Sequence, residues 1–390
     1  MVENILHSEA IKKLRRDLRR AITDWDYLSG ISGEGPIAEF EAEFAKIMES
    51  EYAIALTNAT SALYVALMAS GIGKGDEVIL PSYTWPQTLT PVILTGATPV
   101  FADIQRDTVT VSPESVKKLI NRKTRAIIAV HLYGIPSDVF TLHKIAKDHG
   151  CILIYDSAQG LGSYLNDKPL GTYGDFVAYS FGRSKLFSVG EGGALICRNR
   201  DLYEKAVAFS QHPLRIHKDI DNTEMREKVD GISMNFRLHP LVASLALGQL
   251  KGFIKSGIFK QLKERFKEIY ETIKSTDIRH ILPKIPEGAS PNGMCLPLII
   301  KRKDDLLKIK SLSEKYGFDI YLGGLQRPLH LTETIKRHRF IFHSDLRKSF
   351  IPSHKTHNHG SCPNTESRCK FQKQAFIKIT DDVLRFKESA

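Results

Sequence analysis

The sequence predicts an α/β protein: a three-layer arrangement in which helices cover both faces of a mostly parallel sheet, with a smaller α+β lobe towards the C-terminal end. Three features of the 390 residues point to it. Between residues 52 and 198, short apolar runs of about five residues alternate with amphipathic stretches, the pattern of buried parallel strands joined through helices. Many of these runs close on small or polar residues, as strand ends do in such sheets. From about residue 251 the pattern shifts to lysine-rich helical segments with a few short strands. The expected division is 1–30, a helix and connector; 31–250, a large domain; and 251–390, a small domain.

Bulk properties narrow the class. A chain of 390 residues can bury a large core and make two lobes. Apolar residues make up 42% and charged residues 25%, as in an ordinary globular protein. No apolar run approaches the roughly 20 residues that span a bilayer. The opening Met1-Val2-Glu3-Asn4-Ile5-Leu6 lacks the apolar region of a signal peptide, which predicts a cytoplasmic protein with no membrane partner. The five cysteines are scattered and odd in number, as suits a reducing compartment. The net charge of +11 raises the question of nucleic acid. The densest basic run, from Lys12 to Arg20, combines with Ile11, Leu14, Leu18 and Ile22 into an amphipathic helix whose basic face is solvated. No helix-turn-helix, zinc-finger or aromatic RNA-binding pattern accompanies it, so no nucleic-acid partner is expected. A basic surface also concentrates phosphorylated small molecules.

In chain order, the first segment reads as one helix and a connector. Ser32-Gly33-Glu34-Gly35-Pro36 forms a turn, and a helix follows with Phe40, Phe44 and Ile47 on one side. Residues 52–56 are the first strand, and Thr57-Asn58-Ala59-Thr60-Ser61 leads into an apolar helix over 62–69. Gly71-Ile72-Gly73-Lys74-Gly75-Asp76 mimics a dinucleotide fingerprint, but it precedes a strand, 77–80, instead of opening a helix after one. Further strands are expected at 99–102, 125–131, 151–156, 175–181 and 194–198, with helices at 112–120, 139–149 and 201–209. Residues 211–229 read as a polar, irregular stretch, 239–250 as a helix, and 253–273 as one long helix linking the lobes. A strand at 294–300, a helix at 306–316 and a strand at 318–322 follow.

Two residues carry the chemistry. Lys185 sits a few residues beyond one of these strands and just before the turn Gly190-Glu191-Gly192-Gly193. A lysine amine loses its charge readily when desolvated, which makes a lysine at a sheet edge a candidate Schiff-base residue. Asp156 closes the apolar run Cys151-Ile152-Leu153-Ile154-Tyr155, and α/β enzymes keep their chemistry at the carboxyl ends of parallel strands. A helix N-cap is the alternative role for this aspartate. A lysine that forms an imine and an acid that keeps a pyridine nitrogen protonated are the minimum kit for pyridoxal 5′-phosphate. Ala59 and Thr60 lie in the turn that leads into a helix, where unpaired amides and the helix dipole favour an anion such as a phosphate. Trp85, after the strand at 77–80, offers a flat face for a flat ring. His131 ends a strand nearby and reads as a packed or capping residue.

The motifs extend well beyond this pair. They include Gly35-Pro36-Ile37-Ala38-Glu39-Phe40-Glu41, Asn58-Ala59-Thr60-Ser61-Ala62-Leu63, Pro81-Ser82-Tyr83-Thr84-Trp85, Gly96-Ala97-Thr98-Pro99-Val100-Phe101 and His131-Leu132-Tyr133-Gly134. Asp156-Ser157-Ala158-Gln159-Gly160, Gly174-Asp175 and the stretch from Tyr179 to Gly193 complete the set. In this order they resemble the DegT/DnrJ/EryC1/StrS sugar aminotransferases, fold-type-I pyridoxal phosphate enzymes, from about residue 31 to 250. The resemblance implies that Lys185 and Asp156 are catalytic and that Gln159 bonds the ring oxygen. It implies that Ser180, Thr60 and the Ala59 amide hold the phosphate and that Trp85 stacks on the ring. Relatives often carry glycine where Ala59 stands. Asp230-Gly231-Ile232-Ser233-Met234-Asn235-Phe236-Arg237 resembles a family motif whose asparagine reaches the neighbouring subunit's cofactor, which implies a homodimer with shared active sites and assigns that role to Asn235. An antiparallel strand is expected at 193–197. The implied donor is glutamate or glutamine, and the acceptor a keto-sugar or keto-cyclitol.

Other readings lead elsewhere. Some relatives dehydrate sugars and replace the lysine with histidine; Lys185 disfavours that branch. Lyase or cyclase chemistry on a related substrate is a further alternative, and a non-enzymatic regulator has only the basic run for support. The tail residues His354, His357, His359, Cys362 and Cys369 suggest zinc, but their spacing fits no closed site, and no metal is expected.

Overall fold

The computed structural model describes residues 8–24, 27, 29–229, 232–300, 302–322, 329 and 375–378. Its strands in the first half of the chain are β1 (Tyr52–Leu56), β2 (Glu77–Pro81), β3 (Thr98–Ala102), β4 (Thr124–Val130) and β5 (Ile152–Asp156). A small hairpin, β6 (Tyr164–Leu165) and β7 (Lys168–Pro169), precedes β8 (Phe176–Ser180) and β9 (Gly193–Cys197). Seven of these form one sheet in the order β1-β9-β8-β5-β4-β2-β3. The pairs β2–β3, β2–β4, β4–β5 and β5–β8 are parallel. Strand β9 lies antiparallel between β8 and β1, as expected for 193–197. All parallel strands therefore end on one edge of the sheet. Strands β2 and β9 are buried along their whole length, which explains why they are continuous apolar runs and not alternating ones.

Two helical layers enclose the sheet. On one face lie α2 (Pro36–Ile47), α6 (Val139–His149) and α10 (Pro240–Ser256); on the other lie α3 (Ala59–Ala69), α4 (Pro86–Leu94) and α7 (Arg200–Ser210). Side chains alternate across a strand, so Leu153 and Tyr155 enter the first core and Ile154 the second. Asp156, one residue past Tyr155, falls on the side of α3 and α4. Short helices α5 (Pro113–Leu119), α8 (Pro213–Asp219) and α9 (Thr223–Val229) complete this part, together with α1 (Ser8–Thr23), which packs on α10.

The C-terminal part is built from α11 (Ile258–Lys274), β10 (Ala289–Ser290), β11 (Cys295–Leu298), α12 (Lys303–Tyr316), β12 (Ile320–Leu322) and β13 (Ala375–Lys378). Strands β11, β13 and β12 pair antiparallel in that order. Leu262, Phe266, Ile269, Leu296, Ile309 and Phe318 share a core with Leu186, the neighbour of Lys185. This lobe thus rests on the loop that carries the lysine.

Four expectations need correction. The helix expected at 62–69 begins at Ala59, because Asn58 caps it: its side chain accepts from the Ser61 N–H at 2.8 Å, and Ser61 Oγ accepts from the Asn58 N–H at 3.3 Å. The stretch 211–229 is not irregular but holds α8 and α9. The long helix expected at 253–273 is two helices, broken at Gly257, whose φ of +65° lies in the left-handed region. Helix α1 buries Ala10, Lys13, Asp17 and Ala21, leaving Ile11, Leu18 and Ile22 exposed. The reason is its partner: α10 presents Gly248 against Ala10 and Ser244 against Asp17, 2.5 Å from its carboxylate. A small, polar face fits there, and Lys13 is satisfied by Asp17 and Glu39, each at 2.7 Å. The tail residues 354–369 lie outside the described residues.

Candidate active site

The carboxyl edge of the sheet gathers most of the residues singled out from sequence. Asp156 ends β5 and is buried. Its Oδ2 accepts from Thr88 Oγ1 at 2.7 Å and its Oδ1 from the Ala158 N–H at 3.1 Å. Thr84 and Thr88 hydroxyls stand 3.0 Å apart. Since Thr88 spends its only proton on the carboxylate, Thr84 donates to Thr88. Lys185 lies on the loop after β8, half-buried, with its N–H donating to the Gly182 carbonyl at 2.9 Å. Its amine is within electrostatic reach of Asp156 without forming an ion pair. Burial lowers the Lys185 amine below its ordinary value, against the opposing pull of Asp156 and Cys295. Burial likewise raises the Asp156 carboxyl, offset in part by Thr88, the Ala158 N–H and Lys185.

An anion site adjoins this pair. Ala59 and Thr60 are the first two residues of α3, so their N–H groups have no partner inside the helix. Ala59 keeps a negative φ, so it needs no glycine. The helix start is pressed against the sheet at Gly193, which pairs with Leu56 on one side and Ser180 on the other. A Cβ on Gly193 would stand 2.5 Å from the Asn58 carbonyl carbon and 2.8 Å from the Ala59 nitrogen, so the chain can close here only without a side chain. That closure brings the end of β8, with Ser180, beside the N-terminus of α3.

The remaining candidates flank this core. Gln159 Oε1 accepts from the Tyr133 N–H at 2.6 Å, which fixes the side chain and leaves its NH2 group as the outward donor. Trp85 sits where β2 passes into α4 and is 54% exposed, an unusual position for an indole unless its face is used. Asn235 is exposed on a segment running alongside β1: the Phe236 carbonyl accepts from the Thr57 N–H at 2.9 Å, and Arg237 donates to the Asn235 side chain. His131 is fully buried, stacked on Tyr155 at 4.5 Å, and burial lowers its pKa to about 3. Its Nδ1 accepts from the Ser137 N–H at 3.1 Å, so it is a neutral packing residue, as read from sequence.

Sequence reasoning passed over Thr88 and Asn292. Thr88 lies four residues after Thr84 at a helix start, a spacing that puts both hydroxyls on one face. Asn292 comes from the C-terminal lobe, 133 residues from the Gln159 carbonyl it contacts, and no local signal marks it. Among the described residues, no group of three His, Cys, Asp or Glu side chains could hold a metal ion, and no helix is long and apolar enough to cross a membrane.

The class is that of an α/β enzyme fold with a buried carboxylate and a desolvated lysine at the carboxyl edge of the sheet. The chain belongs to the DegT/DnrJ/EryC1/StrS aminotransferase family, whose model matches residues 20–339. The family's aminotransferases use pyridoxal 5′-phosphate. The chain is 34% identical over 234 residues to a GDP-perosamine synthase of Vibrio cholerae, covering 60% of this chain and 62% of that protein. It is 34% identical over 242 residues to a GDP-perosamine synthase of Escherichia coli O157:H7, covering 62% and 64%. The match thus spans less than two thirds of either relative. Among solved structures, DesV of S. venezuelae in complex with a ketimine intermediate superposes with a TM-score of 0.71 at 25% identity, covering 97% of this chain and 94% of that one. A 3-amino-5-hydroxybenzoic acid synthase shares the fold with a TM-score of 0.71 at 22% identity, covering 95% and 91%.

The site has the features this cofactor needs. Asp156 keeps lone pairs beyond the two donors it has. The α3 N-terminus offers unpaired N–H groups, and the Lys185 amine is desolvated.

Proposed function

We propose that the protein is a pyridoxal 5′-phosphate-dependent aminotransferase that moves an amino group from glutamate or glutamine to a keto-sugar, with a nucleotide-linked sugar the favoured acceptor. The observation that carries this is the placement of Asp156 and Lys185 within electrostatic reach of each other, beside the helix start at Ala59. The likeness to two GDP-perosamine synthases supports a nucleotide-linked acceptor over a keto-cyclitol. The keto-cyclitol alternative rests on the form of the stretch from Lys185 to Gly193 together with Ser82-Tyr83-Thr84-Trp85, a slighter support than those two relatives.

Bound at this edge, the cofactor supplies an aldehyde for an amino group and a ring that spreads negative charge from the donor's α-carbon. The chain's residues do the rest. Asp156 holds a proton on the ring nitrogen: Thr88 and Ala158 occupy one lone pair on each oxygen and orient the others. Gln159, held through Oε1, donates its NH2 to the ring oxygen. The Ala59 and Thr60 amides and the Ser180 hydroxyl bind the phosphate, and Trp85 covers the ring. Lys185, whose amine is cheaply neutralised where it sits, takes the proton from the donor's α-carbon and returns one to the acceptor side. Asn235 serves the neighbouring site in a homodimer. On this reading 31–250 is the cofactor domain, 251–390 the lobe that completes the site, and 1–30 the leading helix and connector of a cytoplasmic enzyme.

The test is to load the purified protein with pyridoxal 5′-phosphate and add glutamate. A visible absorption band that glutamate abolishes with release of 2-oxoglutarate, and that a GDP-linked keto-sugar restores, is the expected result. A band that neither glutamate nor glutamine changes would remove the aminotransferase reading. Restoration by a keto-cyclitol alone would move the acceptor to the second class.

A further inference from the structure

We infer that Asn292, from the C-terminal lobe, is a positioning residue for the cofactor site, acting through Gln159. This rests on the function proposed above. Asn292 is 1% exposed and lies between β10 and β11. Its Nδ2 donates both hydrogens, to the Gln159 carbonyl and the Leu161 carbonyl, each at 2.8 Å. Its backbone N–H donates to Ser163 Oγ at 3.0 Å, and its Oδ1 accepts from the Met294 N–H at 3.0 Å. One side chain thus clamps the loop that begins at Asp156 and carries Gln159.

The clamp closes a ring of contacts. Ser163 Oγ donates to the Gly134 carbonyl at 2.8 Å, and the Tyr133 N–H next to it holds Gln159 Oε1. Tyr133 has a φ of +58°, a conformation a tyrosine keeps only when its surroundings fix it. Gly134 cannot carry a side chain, since a Cβ would meet Asn292 Oδ1 at 2.6 Å and Ser163 Oγ at 2.9 Å. Cys295, three residues after Asn292, packs among Val130, Leu132, Tyr133 and Ile135 and seats the lobe against the same loop. Gln159 is therefore fixed at both ends: its side chain by the sheet-edge loop, its backbone by the lobe. Loss of the Asn292 donors frees the backbone end, and the NH2 group no longer points one way.

The experiment follows the absorption of the bound cofactor against pH, because the proton shared by the ring oxygen and the lysine-linked nitrogen titrates with a change of colour, and a donor facing the ring oxygen shifts that titration. Asn292→Ala removes both donors; Asn292→Asp keeps the volume and the Met294 acceptor but loses the amide donors. The expected result for both is a shift of the absorption midpoint by roughly half a pH unit or more and a loss of roughly tenfold in cofactor affinity. In a Gln159→Ala background the same changes should add little further shift, since the route runs through Gln159. A lowered melting temperature with an unmoved midpoint would reduce Asn292 to a fold-stabilising residue and overturn the inference. Fully additive shifts would overturn it as well. Absence of any cofactor band in the unaltered protein would instead overturn the proposed function, so the two failures are distinguishable.

Discussion

The protein buries carboxylates in two very different settings. Glu41, on α2, is fully answered: Arg215, itself 1% exposed, grips it with Nη1 at 3.0 Å and Nη2 at 2.7 Å, and the Ala55 N–H donates to it at 2.7 Å. Arg215 is completed by Asp219 at 2.9 Å and Gln211 at 3.2 Å. Burial works against the Arg215 charge, but Glu41, Tyr203 and Asp219 together more than offset this and raise its pKa. Asp156 is equally buried, yet it has two neutral donors and no ion pair. A saturated buried charge holds elements together. An under-satisfied one at the end of a parallel strand, with no cation paired to it among the described residues, suits an incoming cation, and on the proposed function the protonated pyridine ring is that cation.

Mutations can break or sharpen this contrast. Lys185→Ala should remove turnover by about a thousandfold or more while phosphate-anchored cofactor still binds, measured by single-turnover kinetics and equilibrium dialysis. Retained turnover would mean another base does the work. Arg215→Met should leave Glu41 buried and unpaired and cost about 3–5 kcal/mol of stability in denaturant unfolding. Changing Glu41 and Arg215 together to apolar residues should recover much of that loss. No recovery would show that the pair does more than tie α2 to α8.

At the open carboxylate the expected sign is reversed. Asp156→Asn should lower activity by on the order of a hundredfold yet stabilise the cofactor-free protein near neutral pH. Burial raises the Asp156 carboxyl above its ordinary 3.8, so the folded chain binds more protons than the unfolded chain as pH rises from that value. Stability from this group is therefore present at low pH and declines as pH climbs through the raised value. Asp156→Asn should remove that decline; an unchanged pH profile of melting would contradict the raised carboxyl. Smallest of the set, Thr88→Val should cost roughly tenfold in turnover with little change in fold stability, and Thr88→Ser should restore most of it. Equal activity in Thr88→Val would mean that the Ala158 N–H alone orients Asp156.

The same contrast explains what was legible in the sequence. Asp156 and Lys185 stand at strand ends, and a strand end is a local feature readable from an apolar run and a turn. The strands of the sheet are legible in the same way, whereas the antiparallel direction of 193–197 follows only from the family resemblance. Glu41 and Arg215 are 174 residues apart, and nothing near either announces the other. Thr88 and Asn292 were missed for a similar reason: they touch Asp156 and the Gln159 loop through side-chain contacts that only the folded chain creates. The face of α1 was misread because the apolar stripe Ile11, Leu18 and Ile22 is conspicuous, whereas its real docking face is set by Gly248 and Ser244 on a helix more than 200 residues away. The helix start at Ala59 was placed three residues late because the capping pair Asn58 and Ser61 looked like a turn.

The central claim is that the lysine after β8 and the acid that ends β5 form one cofactor handle. Borohydride reduction of the protein loaded with pyridoxal 5′-phosphate, followed by peptide mass spectrometry, tests it most directly. The expected result is a single pyridoxyl adduct on the peptide containing Lys185, absent from Lys185→Ala and still formed in Asp156→Asn. An adduct on a different lysine, or none at all despite bound cofactor, would contradict it.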